Sequence, residues 1–151
     1  MGHVAVSIEI DAPPSHVWQV VEPIESHVEW MHDAVAIRFE TEQTRGVGTR
    51  FVCDTRVGPI KLVDHMQITE WAPDERMGVR HSGVISGKGA FTLTPIDEGR
   101  RTRFGWTEDL RFPWWLAGRV GELVGGQFVM KRIWVRNLSG LRDTVEGSGS
   151  G

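Results

Sequence analysis

The chain has 151 residues, of which 40% are hydrophobic and 25% charged, with 17 Lys and Arg against 20 Asp and Glu for a formal net charge of -3. That length suits one domain that buries a core without disulfides or metals, and the slight acidic excess supplies no overall field for nucleic acid or an anionic membrane surface. A single cysteine, Cys53, excludes an internal disulfide, and no uninterrupted apolar run is long enough to cross a bilayer.

In chain order, Val4, Val6, Ile8 and Ile10 alternate with Ala5, Ser7 and Glu9 and predict a strand that stops at Pro13 and Pro14. The opening MGHVAVSIEI lacks the basic and apolar segments of a secretory signal, so the cytoplasm is the expected location. Val17, Val20 and Val21 predict a short helix opened by Pro14 and closed before Pro23, and IESHVEWMH predicts a second short helix. After Asp33 alternation returns and persists to residue 112, broken by turn signals at TRGVG, VGPI, APDE, HSGV and DEGR, which gives six further strands. From Pro113 the spacing becomes helical, with Val120, Val124, Trp134, Leu138, Leu141 and Val145 along one face, and continues to about Glu146. The Gly and Ser residues at 147–151 have the composition of a flexible tail, leaving residues 1–146 as one α+β domain.

This order, together with IEIDAPPSHVWQVV, ITEWAPDERMG, FTLTPIDEGRRTRFGW and LSGLRDTVE, resembles the START/polyketide cyclase (SRPBCC) superfamily. The resemblance covers essentially the whole chain. It implies the helix-grip fold, a curved seven-stranded antiparallel sheet around a long C-terminal helix, enclosing a cavity for an apolar ligand. The motifs are fold signatures and carry no common catalytic set.

Turn arithmetic places the inward side chains. A two-residue turn at Gly58 and Pro59 pairs Val57 with Ile60, Thr55 with Leu62, Cys53 with Asp64 and Phe51 with Met66. A two-residue turn at Pro73 and Asp74 pairs Ile68 with Val79 and Met66 with His81. A four-residue DEGR loop pairs Leu93 with Phe104, Phe91 with Trp106 and Gly89 with Glu108. Glu108 therefore stands on the apolar side of its strand, between Trp106 and Leu110, opposite a glycine and near Gly87, where the sheet is expected to leave room. Asp64 is the other inward carboxylate, with His81 as its diagonal neighbour and Cys53 on the strand beside it. Gln127 and Lys131 lie on the inward arc of the long helix, with Lys131 a candidate partner for Glu108.

Several chemistries are disfavoured. The six histidines fall at 3, 16, 27, 32, 65 and 81 without ligand spacing, so no metal site is expected. There is no P-loop, dinucleotide fingerprint or GxSxG elbow, and no cofactor is expected. Tyrosine is absent, so acid-base work would fall to carboxylates and histidine. The leading expectation is binding of a small apolar molecule, cyclic, polyketide-like or lipid-like, against Phe51, Cys53, Met66, Phe91, Phe104, Trp106, Val124, Gln127, Lys131 and Trp134. The alternative is a polyketide cyclase/aromatase-type enzyme with Glu108, Asp64 and His81 as acid-base residues. A third reading is a protein or membrane adaptor using an exposed Trp114-Trp115 edge. A homodimer is left open.

Overall fold

The computed structural model describes residues 2–57, 59–111, 113 and 127–149. Seven strands, β1 (Gly2–Ile10), β2 (Ala34–Phe39), β3 (Arg50–Val57), β4 (Ile60–Ala72), β5 (Arg76–Ser82), β6 (Ser86–Ile96) and β7 (Arg101–Arg111), form one antiparallel sheet in the order β1-β7-β6-β5-β4-β3-β2. Strands β2 to β7 pair in sequence, whereas β1 pairs with β7 at the opposite edge from β2. The link from β1 to β2 must therefore cross the width of the sheet.

That crossing consists of α1 (Pro14–Val21) and a 3₁₀ helix (Ile24–Glu29). Pro14 suits the first turn of α1 because its missing N–H would have no intrahelical partner there. Val17, Trp18 and Val21 are the buried face of α1. The second helix is the tighter 3₁₀ form, and Ile24, His27 and Trp30 recur every third residue, all buried.

The C-terminal helix, α2 (Gln127–Gly149), buries Trp134, Leu138, Leu141 and Val145 along one face and packs against β1. The Asp11 backbone N–H donates to Glu146 Oε2 at 3.1 Å, fastening the helix end to the end of β1. The helix continues past Glu146 into the segment expected to be a flexible tail, since each residue added to a formed helix gains one more ladder bond. The expected helical residues Val120 and Val124, and the Trp114-Trp115 edge, lie outside the described residues.

The registers deduced from turn lengths hold along β3/β4 and β6/β7, including Phe51↔Met66, Cys53↔Asp64 and Gly89↔Glu108. Along β4/β5 the pairs Met66↔His81 and Ile68↔Val79 are also present, but the turn between them is different. Ala72 pairs with Arg76, so three residues form the loop, with Asp74 in the left-handed region at φ 67°. A bulge between Ile68 and Glu70 absorbs the odd residue and keeps both Ile68 and Trp71 on the core side.

One buried polar residue ties α2 to the start of β2. Asn137 has no exposed surface; its Nδ2 donates to Asp33 Oδ1 at 2.7 Å and its Oδ1 accepts the His32 N–H at 2.8 Å. Asn137→Ala removes both bonds and strands two partners, so it is expected to cost about 2–4 kcal/mol in urea unfolding, against about 0.5 kcal/mol or less for Asp143→Ala on the exposed side of the same helix.

Candidate functional site

A cavity of about 150 Å³ lies on the concave side of the sheet, lined from β2 to β7, by the 3₁₀ segment and by Trp134 of α2. Most of its wall is apolar. Of the residues expected to face a ligand, Phe51, Cys53, Met66, Phe91, Trp106 and Trp134 are on the wall, as are Asp64, His81 and Glu108.

Others stand elsewhere. Phe104 is fully buried at the end of the sheet where α1 packs against β6 and β7, with its ring 5.2 Å from that of Phe91, so it supports the wall without reaching the cavity. Lys131 is exposed and does not partner Glu108, because its flexible stem keeps the ammonium hydrated at less cost than burial. The Gln127 side chain and Val124 lie outside the described residues.

The polar wall is a chain of side chains from three strands. His81 on β5 has Nδ1 at 2.8 Å from Asp64 Oδ2 and 2.9 Å from Asp64 Oδ1, and Nε2 at 3.1 Å from Glu108 Oε2. Trp106 Nε1 donates to Glu108 Oε1 at 3.0 Å. Both ring nitrogens of His81 thus face carboxylates, an arrangement satisfied only when each carries a proton. Burial alone would lower the His81 pKa, but the hydrogen bonds and charges of Asp64 and Glu108 outweigh it and raise the pKa to about 10.

Contact between β5 and β7 requires β6 to yield, because strands two places apart are separated by roughly 10 Å. The register puts Gly87 opposite His81 and Gly89 opposite Glu108. A Cβ on Gly89 would lie inside the Glu108 carboxyl group, so the carboxylate occupies the notch the glycine leaves. Gly87 has φ 135° and presses against the Asp109 carbonyl, a conformation and approach that only glycine accommodates. The room beside Glu108 expected from these glycines is therefore filled by Glu108 itself.

Two polar wall residues escaped the sequence reading, besides apolar ones such as Met31, Ile37 and Met77. His27, 5% exposed, donates from Nε2 to the Val21 carbonyl at 2.7 Å, and burial lowers its pKa to about 4. Asp33 borders the cavity next to its Asn137 partner, and burial raises its pKa. Both follow the period-three stripe of the 3₁₀ segment or the loop after it, where neither strand nor α-helix periodicity signals an inward residue. Burial also pushes the Cys53 thiol up to about 11, so it is a protonated wall group and not a nucleophile. Among the described residues no group of three or more His, Cys, Asp or Glu is placed to hold a metal ion, and no helix is long and apolar enough to cross a membrane.

A family model described as "Polyketide cyclase / dehydrase and lipid transport" matches residues 1–146. Among solved structures, TTHA0849 from Thermus thermophilus is 20% identical with a TM-score of 0.80, covering 97% of this chain and 99% of that one. The Zhui aromatase/cyclase from Streptomyces sp. R1128 is 16% identical with a TM-score of 0.76, covering 96% of this chain and 93% of that one. A START superfamily protein from Mycobacterium smegmatis is 12% identical with a TM-score of 0.67, covering 97% and 95%. These likenesses show the helix-grip fold. Among curated proteins none matches.

Gly89→Ala is expected to destabilise the protein by about 1–3 kcal/mol in urea unfolding, because the new methyl group must displace a buried, hydrogen-bonded carboxylate. The two buried histidines give stability an opposed pH dependence. The raised pKa of His81 makes its contribution complete below the unfolded value of 6.5 and lost as pH rises toward about 10. The depressed pKa of His27 makes its contribution complete above 6.5 and lost as pH falls toward about 4. Unfolding measured across this range is expected to show greatest stability near pH 6.5, with the alkaline slope reduced in His81→Gln; an unchanged slope in that variant would contradict the assignment.

Proposed function

The chain belongs to the polyketide cyclase/dehydrase and lipid transport family, and on that premise we propose that it binds a small hydrophobic, ring-containing molecule in the cavity between the sheet and α2. The observation that carries this reading is an unfilled interior with aromatic and methionine walls and one anchored polar wall, Asp64-His81-Glu108. Apolar burial supplies affinity, and the few polar groups fix orientation. A cavity of about 150 Å³ matches the space known to accept a benzene-sized guest. Met31, Met66 and Met77 also line it, and their flexible thioethers can yield to a larger polyketide-like or lipid-like guest. Glu108 accepts one bond on each oxygen and retains lone pairs for a ligand.

The Asp64-His81-Glu108 chain favours one second reading, a polyketide cyclase/aromatase-type enzyme, in keeping with the name of the Streptomyces neighbour. In that reading Glu108 takes the proton from substrate carbon. His81, with a proton on each nitrogen and a carboxylate on each side, is not the base at neutral pH and acts by holding Glu108 in place. The adaptor reading would rest on Trp114 and Trp115, outside the described residues. A cytoplasmic location suits a chain whose single thiol is buried and free.

Native mass spectrometry of freshly purified protein is expected to show a retained apolar molecule. A panel of one-ring and two-ring apolar compounds is expected to raise the melting temperature by a few degrees, consistent with about 2.7 kcal/mol at a hundredfold excess over Kd. Failure of the whole panel would remove the binding reading. Glu108→Gln that retains ligand but abolishes turnover of a poly-β-keto substrate would favour the enzyme; retained ligand with no turnover in either form favours the binder.

A further inference from the structure

The hydrogen-bonding polarity of the cavity wall restricts its guest further. The reasoning rests on the cavity being the binding site, as proposed above, and concerns which molecules it takes.

Among the described residues, no lysine or arginine lines the cavity, whereas Asp33, Asp64 and Glu108 all do. The wall's strong donors are already engaged. Both nitrogens of His81 face carboxylates, and the Trp106 indole N–H is directed at Glu108. The remaining weaker donors face protein atoms, Thr55 Oγ1 at 3.7 Å from Cys53 Sγ and Cys53 Sγ at 3.9 Å from the Asp54 carbonyl. An entering carboxylate would therefore meet like charge and no free cation.

His27 supplies the independent observation. The Val21 carbonyl can only accept, so the hydrogen bond at 2.7 Å fixes the proton of the neutral ring on Nε2 and leaves Nδ1 as a bare lone pair. Nδ1 has no hydrogen-bond partner among the described residues, although the side chain is 5% exposed and lines the cavity. The one fully buried polar side-chain atom without a partner among the described residues is Trp30 Nε1, on a residue that does not line the cavity, whereas His27 Nδ1 is an unused acceptor on a wall residue and can be satisfied by a donor on the guest. Between the two polar positions stand aromatic faces: the His27 ring is 5.8 Å from Phe91, and Phe91 is 5.2 Å from Trp106, whose indole N–H bonds Glu108.

We propose that the cavity selects an aromatic guest of about one ring that donates hydrogen bonds from both ends, an amine or hydroxyl to Glu108 and a hydroxyl or N–H to His27 Nδ1, and that it rejects carboxylates. An ammonium is favoured at the Glu108 end, where it meets a carboxylate already held by the Trp106 indole N–H.

The test uses four probes of matched size with the full chain: 4-(aminomethyl)phenol with a donor at each end, 4-methylphenol with one, p-xylene with none, and the anion 4-hydroxybenzoate. Titration calorimetry is expected to rank them in that order of decreasing affinity. Each added donor should tighten Kd by about tenfold, the size of a hydrogen bond to a charged or buried acceptor. Glu108→Gln should weaken 4-(aminomethyl)phenol by about tenfold more than it weakens p-xylene, whose affinity reports any change the substitution makes to the cavity itself. In the unaltered protein, the ¹⁵N resonance of His27 Nδ1 should move upfield when 4-(aminomethyl)phenol binds and stay in place with p-xylene. Equal affinity for p-xylene and 4-(aminomethyl)phenol, or preference for 4-hydroxybenzoate, overturns the donor rule and leaves the binding reading standing. Binding of none of the four overturns the one-ring donor rule, and only failure of the two-ring compounds as well overturns the binding reading.

Discussion

Everything at the site depends on a contact that the sheet would ordinarily forbid, the hydrogen bond from His81 on β5 to Glu108 on β7 across β6. Two strand spacings separate these backbones, and any Cβ at position 89 would stand where the carboxylate lies. Glycine on the middle strand is thus a geometric requirement for the chain Asp64-His81-Glu108. It also accounts for an otherwise weakening residue in a central strand, since the entropy and packing lost at Gly89 are offset by a seat for a buried carboxylate.

A buried ion pair is a poor source of stability when its desolvation is counted, and strongly destabilising once one partner is removed. Here the cost is limited by completeness. His81 has a carboxylate on each nitrogen, and Glu108 has a donor on each oxygen. Two carboxylates and one imidazolium still leave an excess negative charge beside an apolar hollow. An evolving sequence could remove that excess by replacing Glu108 with an apolar residue matching Trp106 and Leu110. Retaining a charged group there makes sense if the cavity has something to orient.

The fold was legible in the chain to an unusual depth because alternation and turn residues constrain each other. The Cys53↔Asp64, Phe91↔Trp106 and Gly89↔Glu108 pairs followed from loop lengths alone. The β4/β5 hairpin shows the limit of such arithmetic. A loop one residue longer and a bulge near Thr69 compensate each other, so the pairs at Met66 and Ile68 came out correctly from a wrong turn. Glu108 and Asp64 were legible as carboxylates on an apolar face. Their bridging by His81 was less so, since His81 shares a face with Met66 and nothing in one dimension shows a side chain crossing a neighbouring strand. Lys131 was the natural partner by charge, but it remains in water. His27 was missed because its stripe has period three, too short to register beside strands and α-helices.

The same polar inventory bears on which chemistry the interior suits. Closing a poly-β-keto chain develops negative charge on oxygen, and sites that promote it direct free donors at that oxygen. Among the described residues the strong donors on this wall are already engaged, His81 by Asp64 and Glu108 and Trp106 by Glu108. Serving an oxyanion would require the His81-Glu108 bond to open, returning an unpaired carboxylate to an apolar enclosure. Holding a donor-bearing ring requires no such rearrangement, because Glu108 has unused lone pairs and His27 Nδ1 stands empty-handed. By this asymmetry, among the described residues, the proposed binding of a donor-bearing guest leaves the side-chain arrangement as it stands, whereas the proposed cyclase chemistry would have to open the His81-Glu108 bond.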